Sequence, residues 1–206
     1  SDRCRLERPA HMTTYDTIIV GAGSAGCVLA NRLSKDPNRK VLLIEAGPRG
    51  GHLYIRMPAA VAMAIGSKQF NWHYQTTPQT HMNGRRVSTP RGKALGGSSA
   101  INALVYVRGN AYDYDNWAEM GCVGWGYADV LPYFRATENN AFGPGPYHGS
   151  EGPLVVSHPE SENLAFKAFI DAGVEMGYPY NPDNNGATQE GFGPFQLNIK
   201  EGRRWS

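Results

Sequence analysis

Residues 15–47 read YDTIIVGAGSAGCVLANRLSKDPNRKVLLIEAG, and this stretch decides the fold. The apolar run Ile18-Ile19-Val20 leads directly into Gly21-Ala22-Gly23-Ser24-Ala25-Gly26. Apolar residues then recur at Ala25, Val28, Leu29 and Leu33, the spacing of a helix with one buried side. A second apolar run, Val41-Leu42-Leu43-Ile44, ends in Glu45 and Ala46. Strand, glycine turn, helix, strand and carboxylate together make a dinucleotide site. Gly21 allows the tight turn out of the strand, Gly23 lets a pyrophosphate approach the backbone, and Gly26 lets the helix pack close to the sheet. The N–H groups of Ser24 and Ala25 open the helix and present its positive end to phosphate. Glu45 lies 19 positions after Gly26, near the spacing of a carboxylate that binds ribose hydroxyls. A glycine turn that merely packs a helix on a sheet would account for Gly26, but for neither Gly23 nor Glu45.

The rest of the composition narrows the classes. The chain has 206 residues, enough for one good core or slightly more. Its 20 basic and 18 acidic residues leave a net charge of +2, which is not the balance of a nucleic-acid binder. The 25 glycines and 14 prolines predict many turns. Cys4, Cys27 and Cys122 form neither a zinc pattern nor a disulfide framework, and Cys27 reads as a small buried thiol behind the glycine turn. No apolar run reaches membrane-spanning length, and the N-terminus is not a secretory signal. The expected location is the cytoplasm, either free or peripheral at a membrane. Residues 1–11 read as a leader or tag ahead of Met12, with a disordered natural extension as the alternative.

The chain in order predicts a strand over 14–20, a helix over 23–34 and a strand over 40–44, the strands parallel and covered on both faces. A short helix is expected over 57–65. Phe70-Asn71-Trp72-His73-Tyr74 reads as extended, either as a packed strand or as cover over a cofactor. Helices are expected over 112–120, with Asp113 and Asp115 in its first turns, and again around Val130, Tyr133, Phe134 and Thr137, with Pro132 near the start. The aromatics of these helices read as core. A loop over 139–152, a strand at 154–156, a surface helix over 164–176, a loop over 178–193 and a strand over 195–199 complete the pattern.

A second loop, Arg91-Gly92-Lys93-Ala94-Leu95-Gly96-Gly97-Ser98-Ser99-Ala100-Ile101-Asn102, combines glycines, small hydroxyls and two cations. Its N–H groups suit an anion, although it lacks the Gly-Lys-Ser/Thr ending of a P-loop.

These two motifs, in this order, resemble the glucose-methanol-choline oxidoreductases, especially the choline dehydrogenase-like alcohol dehydrogenases. Residues 21–33 look like that family's FAD fingerprint. Residues 91–102, continued by Ala103-Leu104-Val105-Tyr106-Val107-Arg108-Gly109, match its first signature. Asp115-Asn116-Trp117, residues 125–134, Glu190-Gly191-Phe192-Gly193 and the pattern Gly202-Arg203-x-x-Ser206 are similar too, so the resemblance covers residues 14–206.

The resemblance implies an α/β, Rossmann-like FAD-binding fold with irregular insertions and the start of a substrate-binding domain, incomplete relative to the family. It implies an FAD-binding region over 12–150, the first part of a discontinuous domain, and the beginning of the substrate region over 151–206. Glu45 would hold the adenosine ribose. Arg91, Gly96, Gly97 and Ser98 would run along the diphosphate and the middle of FAD. Asn102, Ala103, Leu104 and Val105 would lie by the isoalloxazine. Some relatives tether FAD through a histidine where this chain has Ile101, so FAD is expected to be non-covalent.

The implied reaction oxidises an alcohol to an aldehyde or ketone, with a quinone, a dye or oxygen as electron acceptor. The relatives' catalytic histidine lies far C-terminal to these residues, so the resemblance also implies a C-terminal half as partner. His73, His81, His148 and His158 have no argued place beside a flavin, and no catalytic residue is assigned. A cofactor-binding fragment without activity of its own, and an NAD(P)-dependent enzyme with an unusual second glycine loop, remain the alternatives.

Overall fold

The computed structural model describes residues 13–158 and 163–206; the expected leader over 1–11 lies outside the described residues. In chain order the elements are β1 (Thr17–Val20), α1 (Ser24–Leu33), β2 (Val41–Ile44), α2 (Leu53–Arg56), α3 (Val61–Gly66), β3 (Tyr74–Gln75), β4 (Ser88–Thr89) and β5 (Val105–Tyr106). They are followed by α4 (Ala111–Glu119), α5 (Tyr127–Thr137), β6 (Glu138–Asn140), β7 (Leu154–Val156), α6 (Leu164–Glu175), β8 (Gln196–Leu197), β9 (Ile199–Lys200) and β10 (Arg203–Arg204). This is the expected α/β, Rossmann-like start with small irregular sheets. The described residues form two compact units, one within 13–50 and 65–101, the other within 51–64, 102–158 and 163–206.

In the first unit β1 and β2 pair in parallel, Thr17 opposite Val41 through Val20 opposite Ile44, with α1 as the crossover. Only Ile19 of β1 is buried; Val20 is 83% exposed and Ile18 58%. The expectation that both faces are covered is therefore not met here: among the described residues the sheet has two strands. Cys27 is half-buried rather than buried, with its thiol against the Ala22 carbonyl at 3.2 Å. Tyr74 and Gln75 pair with Thr89 and Ser88 in a small antiparallel ladder. Of the aromatic stretch before it, Phe70 is core and Trp72 is exposed and stacked on Tyr74, ring centroids 5.8 Å apart.

In the second unit, the Asn110 side chain accepts from the Tyr112 N–H at 2.9 Å, and the Asp113 carboxylate accepts from the Asn110 N–H at 3.1 Å, so α4 begins with a capping box. Asp115 acts on the next helix instead. Its carboxylate accepts from the Tyr127 N–H at 2.8 Å and so caps α5. Helix α5 starts earlier than expected, which places Pro132 inside it at the cost of one helical hydrogen bond. Tyr114 packs edge-on against Trp117 and Phe134, at 5.4 and 5.7 Å, and so joins α4 to α5, but neither helix has a buried residue, and Trp117 is 45% and Tyr133 75% exposed, so the expectation that these aromatics are core is not met. Where a loop over 139–152 is expected, its first residues belong to β6, which pairs in parallel with β7. The strand expected over 195–199 is broken at Asn198 into β8, paired with β5, and β9, paired with β10.

Candidate cofactor site

In the first unit the two glycine motifs meet. The chain leaves β1 through Gly21, whose φ of +96° is a glycine conformation, with its N–H donating to Ile44 O at 2.7 Å. A Cβ on Gly26 would strike the Gly21 carbonyl and lie 3.4 Å from Ile19 Cγ2, so Gly26 sets how closely α1 packs on β1. From the second loop, the Gly96 N–H donates to Ala22 O at 2.8 Å, and a Cβ on Gly97 would lie 2.7 Å from Gly23 Cα. Within that loop Ser98 Oγ accepts from the Gly92 N–H at 3.1 Å, and Ser99 Oγ donates to Gly96 O at 2.8 Å. Arg91 is exposed, and Lys93 lies over the Trp72 ring at 4.8 Å.

Gly23 differs from its neighbours. Its φ of −73° and ψ of −174° are extended backbone that any residue adopts. A Cβ there would meet only Gly97 Cα, at 4.0 Å. Neither backbone conformation nor packing calls for glycine at this position. The space stands at the N-terminus of α1, which has no side-chain cap, so the N–H groups of Ser24 and Ala25 have no capping side chain. Glu45 is half-buried, and its two oxygens accept from the Ala22 N–H at 2.8 Å and the Gly47 N–H at 2.9 Å. A carboxylate offers about four lone-pair sites, so acceptor capacity remains for hydroxyl groups. Ala46 beside it is exposed. A dinucleotide fits this set: an open helix N-terminus for its pyrophosphate, room over Gly23, and a fixed carboxylate.

In the second unit Asn102 and Ala103 are exposed, and Leu104 is buried with a left-handed φ of +66°. Its N–H donates to Asn102 Oδ1 at 2.9 Å, and Val105 enters the ladder opposite Leu197.

The second unit also holds a buried polar cluster that no sequence spacing announces. Arg108 Nη2 lies 2.8 Å from Glu138 Oε1, His148 Nδ1 lies 3.0 Å from the same oxygen, and His148 Nε2 lies 2.9 Å from Asp183 Oδ2. Gln196 joins it by donating from Nε2 to Asp183 Oδ1 at 2.8 Å, and Asn140 Nδ2 donates to Gln196 Oε1 at 3.0 Å. Burial opposes charge on His148, but hydrogen bonds to Glu138 and Asp183 outweigh it and raise its pKa above the ordinary value. Burial likewise opposes charge on Glu138, but hydrogen bonds from His148 and the Gly149 N–H, with Arg108 nearby, hold its pKa below the ordinary value. A histidine whose two nitrogens both face carboxylates is held in place by them and has no nitrogen free to take a substrate proton. His158 is half-buried against Phe142, with its pKa lowered by burial; His73 and His81 are exposed. An adjacent cleft of about 640 Å3 is lined by Asn110, Tyr127, Asn185, Thr188 and Gln189 among others. Among the described residues no group of His, Cys, Asp or Glu side chains could hold a metal ion, and no helix is long and apolar enough to cross a membrane.

Comparison with known proteins gives a consistent picture. The GMC oxidoreductase family model matches residues 15–206. An oxygen-dependent choline dehydrogenase of Xanthomonas campestris pv. campestris is 52% identical over 197 residues, covering 93% of this chain and 35% of that protein. Among solved structures, pyridoxine 4-oxidase from Mesorbium loti superposes with a TM-score of 0.88 at 39% identity, over 94% of this chain and 38% of its own. An FAD-dependent oxidoreductase from Chaetomium thermophilum superposes with a TM-score of 0.80 at 33% identity, over 91% and 34%. The chain thus spans about a third of the length of the curated relatives it matches.

Proposed function

Because the chain belongs to the GMC oxidoreductase family, we propose that it supplies the FAD-binding part of an enzyme that oxidises an alcohol to an aldehyde or ketone. Bound non-covalently, FAD supplies the hydride acceptor for that chemistry. The related choline dehydrogenase and pyridoxine 4-oxidase are both named for substrates that carry an alcohol, which supports that substrate class.

The chain's own residues have distinct roles in this reading. Gly21 and Gly26 shape the turn, Gly23 leaves room for the pyrophosphate, and the N–H groups of Ser24 and Ala25 bind it. Glu45, held by the Ala22 and Gly47 N–H groups, accepts the ribose hydroxyls, with Ala46 alongside. Gly96, Gly97 and Ser98 present small groups to the middle of the cofactor, and Arg91 adds positive charge. Asn102, Ala103, Leu104 and Val105 face its isoalloxazine end. The FAD-binding region is placed over 12–150 and the start of the substrate region over 151–206, a functional division distinct from the two compact units. The electron acceptor is a quinone, a dye or oxygen, and the location is the cytoplasm, free or peripheral to a membrane.

The observation that carries this reading is the space at Gly23, which the fold itself leaves free of any need for glycine. Gly23→Val should keep its fold, since the backbone there is extended and a Cβ would meet nothing closer than Gly97 Cα at 4.0 Å, and should lose FAD retention. Equal flavin content in the two proteins would overturn the assignment.

A second reading has its own support. Both nitrogens of His148 are engaged by carboxylates, which leaves neither free to take a proton from a substrate. A chain that binds FAD without turning over alcohol by itself fits that fact, because catalysis needs a base within hydrogen-bond reach of the substrate hydroxyl. Dye reduction with a panel of primary alcohols, by this chain alone and together with the remainder of a family enzyme, separates the two.

A further inference from the structure

We propose that Arg204 is a positioning residue for the flavin-side turn at residues 102–105, an inference that rests on the FAD reading above. Arg204 lies in β10 and is 7% exposed. Its Nη1 donates to Asn102 Oδ1 and its Nη2 to the Asn102 carbonyl, both at 2.7 Å, while Nε donates to Ile55 O at 2.9 Å. One planar guanidinium thus grips both the side chain and the backbone of Asn102, with a third bond fixing the plane of the fork.

The grip is passed on. Asn102 Oδ1, placed by Arg204, accepts from the Leu104 N–H at 2.9 Å. Leu104 sits at φ +66°, a conformation that costs a non-glycine residue about 1–2 kcal/mol. It persists only where neighbours over-determine it. From the other side the Asn198 N–H donates to Leu104 O at 2.9 Å, and Trp205 N–H donates to Asn198 O at 3.0 Å. Residues 198–205, with β9 and β10 joined through Glu201 and Gly202 at φ +50° and +72°, therefore form a clamp around the turn. Arginine suits this position, because its five donors lie in a fixed fork. A lysine of the same charge offers one nitrogen, and cannot hold the Asn102 oxygens and Ile55 O together.

A residue that merely secures the β9–β10 hairpin would affect melting and nothing else. A positioning residue also changes the surroundings of the isoalloxazine, which the visible circular dichroism of bound FAD reads directly. FAD is titrated into the full chain and into Arg204→Lys, Arg204→Ala and Glu45→Gln, with far-UV dichroism confirming the fold. The expected result is an altered shape of the visible band in Arg204→Lys. Its dissociation constant should rise about tenfold, the order expected for losing a hydrogen bond to a charged group. Added guanidinium ion should return the band of Arg204→Ala toward that of the parent. Glu45→Gln, at the ribose end, should weaken binding and keep the band shape.

A parent chain that shows no bound flavin band overturns the FAD reading, and this inference with it. A parent band reproduced unchanged in Arg204→Lys overturns this inference alone. Should Arg204→Lys fail to fold, 15N-arginine NMR of the unaltered chain decides. The Arg204 Nη resonances move on FAD binding if the turn is coupled to them, and stay in place if it is not.

Discussion

The junction of the two glycine motifs allows a sharp test through Gly97→Ala. Gly97 has φ +60°, so alanine there takes on the left-handed conformation at about 1–2 kcal/mol. The new methyl would start 2.7 Å from Gly23 Cα. Carbon atoms settle at about 3.5–4.0 Å, so one loop must retreat by about 1 Å. Both partners are backbone, and no side chain can rotate away. Forcing a methyl group into a filled space of this kind costs about 1–3 kcal/mol. The retreat also strains the bond from the Gly96 N–H to Ala22 O, 2.8 Å in the parent. Together the two terms come to about 2–5 kcal/mol. For a chain of this size each kcal/mol moves the melting temperature by about 2–4 °C, so Gly97→Ala should melt about 4–20 °C below the parent. Thermal melts followed by tryptophan fluorescence, without added cofactor, provide the measurement. Gly23→Ala is the matched control. Its Cβ has room, so it should melt within about 2 °C of the parent and yet lose flavin. A Gly97→Ala protein that melts with the parent would show that the two loops do not touch backbone to backbone.

Two further outcomes are expected. The charged cluster around Glu138 and His148 should shape stability against pH. His148 has its folded pKa raised above the ordinary 6.5, so its contribution is complete below that value and is lost as pH rises through the folded value. Glu138 has its folded pKa lowered below 4.5, so its contribution is present above that value and is lost as pH falls through the folded value. The melting temperature should peak in the weakly acid range between these limits, and His148→Gln should flatten the decline on the alkaline side; an unaltered decline would show that another group sets it. Finally, Ile101 is buried at 2% exposure and cannot form a covalent link to flavin, so acid precipitation should leave the yellow colour in the supernatant. A washed pellet that stays yellow would contradict that.

What could be read from the sequence divides along a physical line. Residues 15–47 were legible because each feature there is local: the run into Gly21, the helical spacing from Ala25 to Leu33, and the distance to Glu45 all lie within one strand-helix-strand unit. Local rules also found α4 and its cap. They placed Asp115 within α4 but not its partner, the Tyr127 N–H of the next helix, and they put Pro132 too near the start of α5, because a proline stop signal yields when packing through Phe134 and Tyr114 holds the helix. The cluster of Arg108, Glu138, His148 and Asp183 was invisible for the same reason: its members come from separate segments and share no spacing. The break at Asn198 is likewise tertiary, since its amide leaves the strand pattern to hold the Leu104 carbonyl.

The interleaving of the two compact units has a consequence for synthesis. Residues 51–64 belong with 102–206, although 65–101 are made in between. The bond from Arg204 Nε to the Ile55 carbonyl closes over 149 residues of chain. At about 5–20 residues per second, Ile55 and its neighbours leave the ribosome about 7–30 s before the strand that covers them exists. During that interval Ile55, buried in the finished fold, is open to chaperones and proteases while the glycine junction of the other unit can already close. Slowing translation after residue 101 should lengthen that exposure, so the yield of this protein in a cell is tied to elongation speed over its second half.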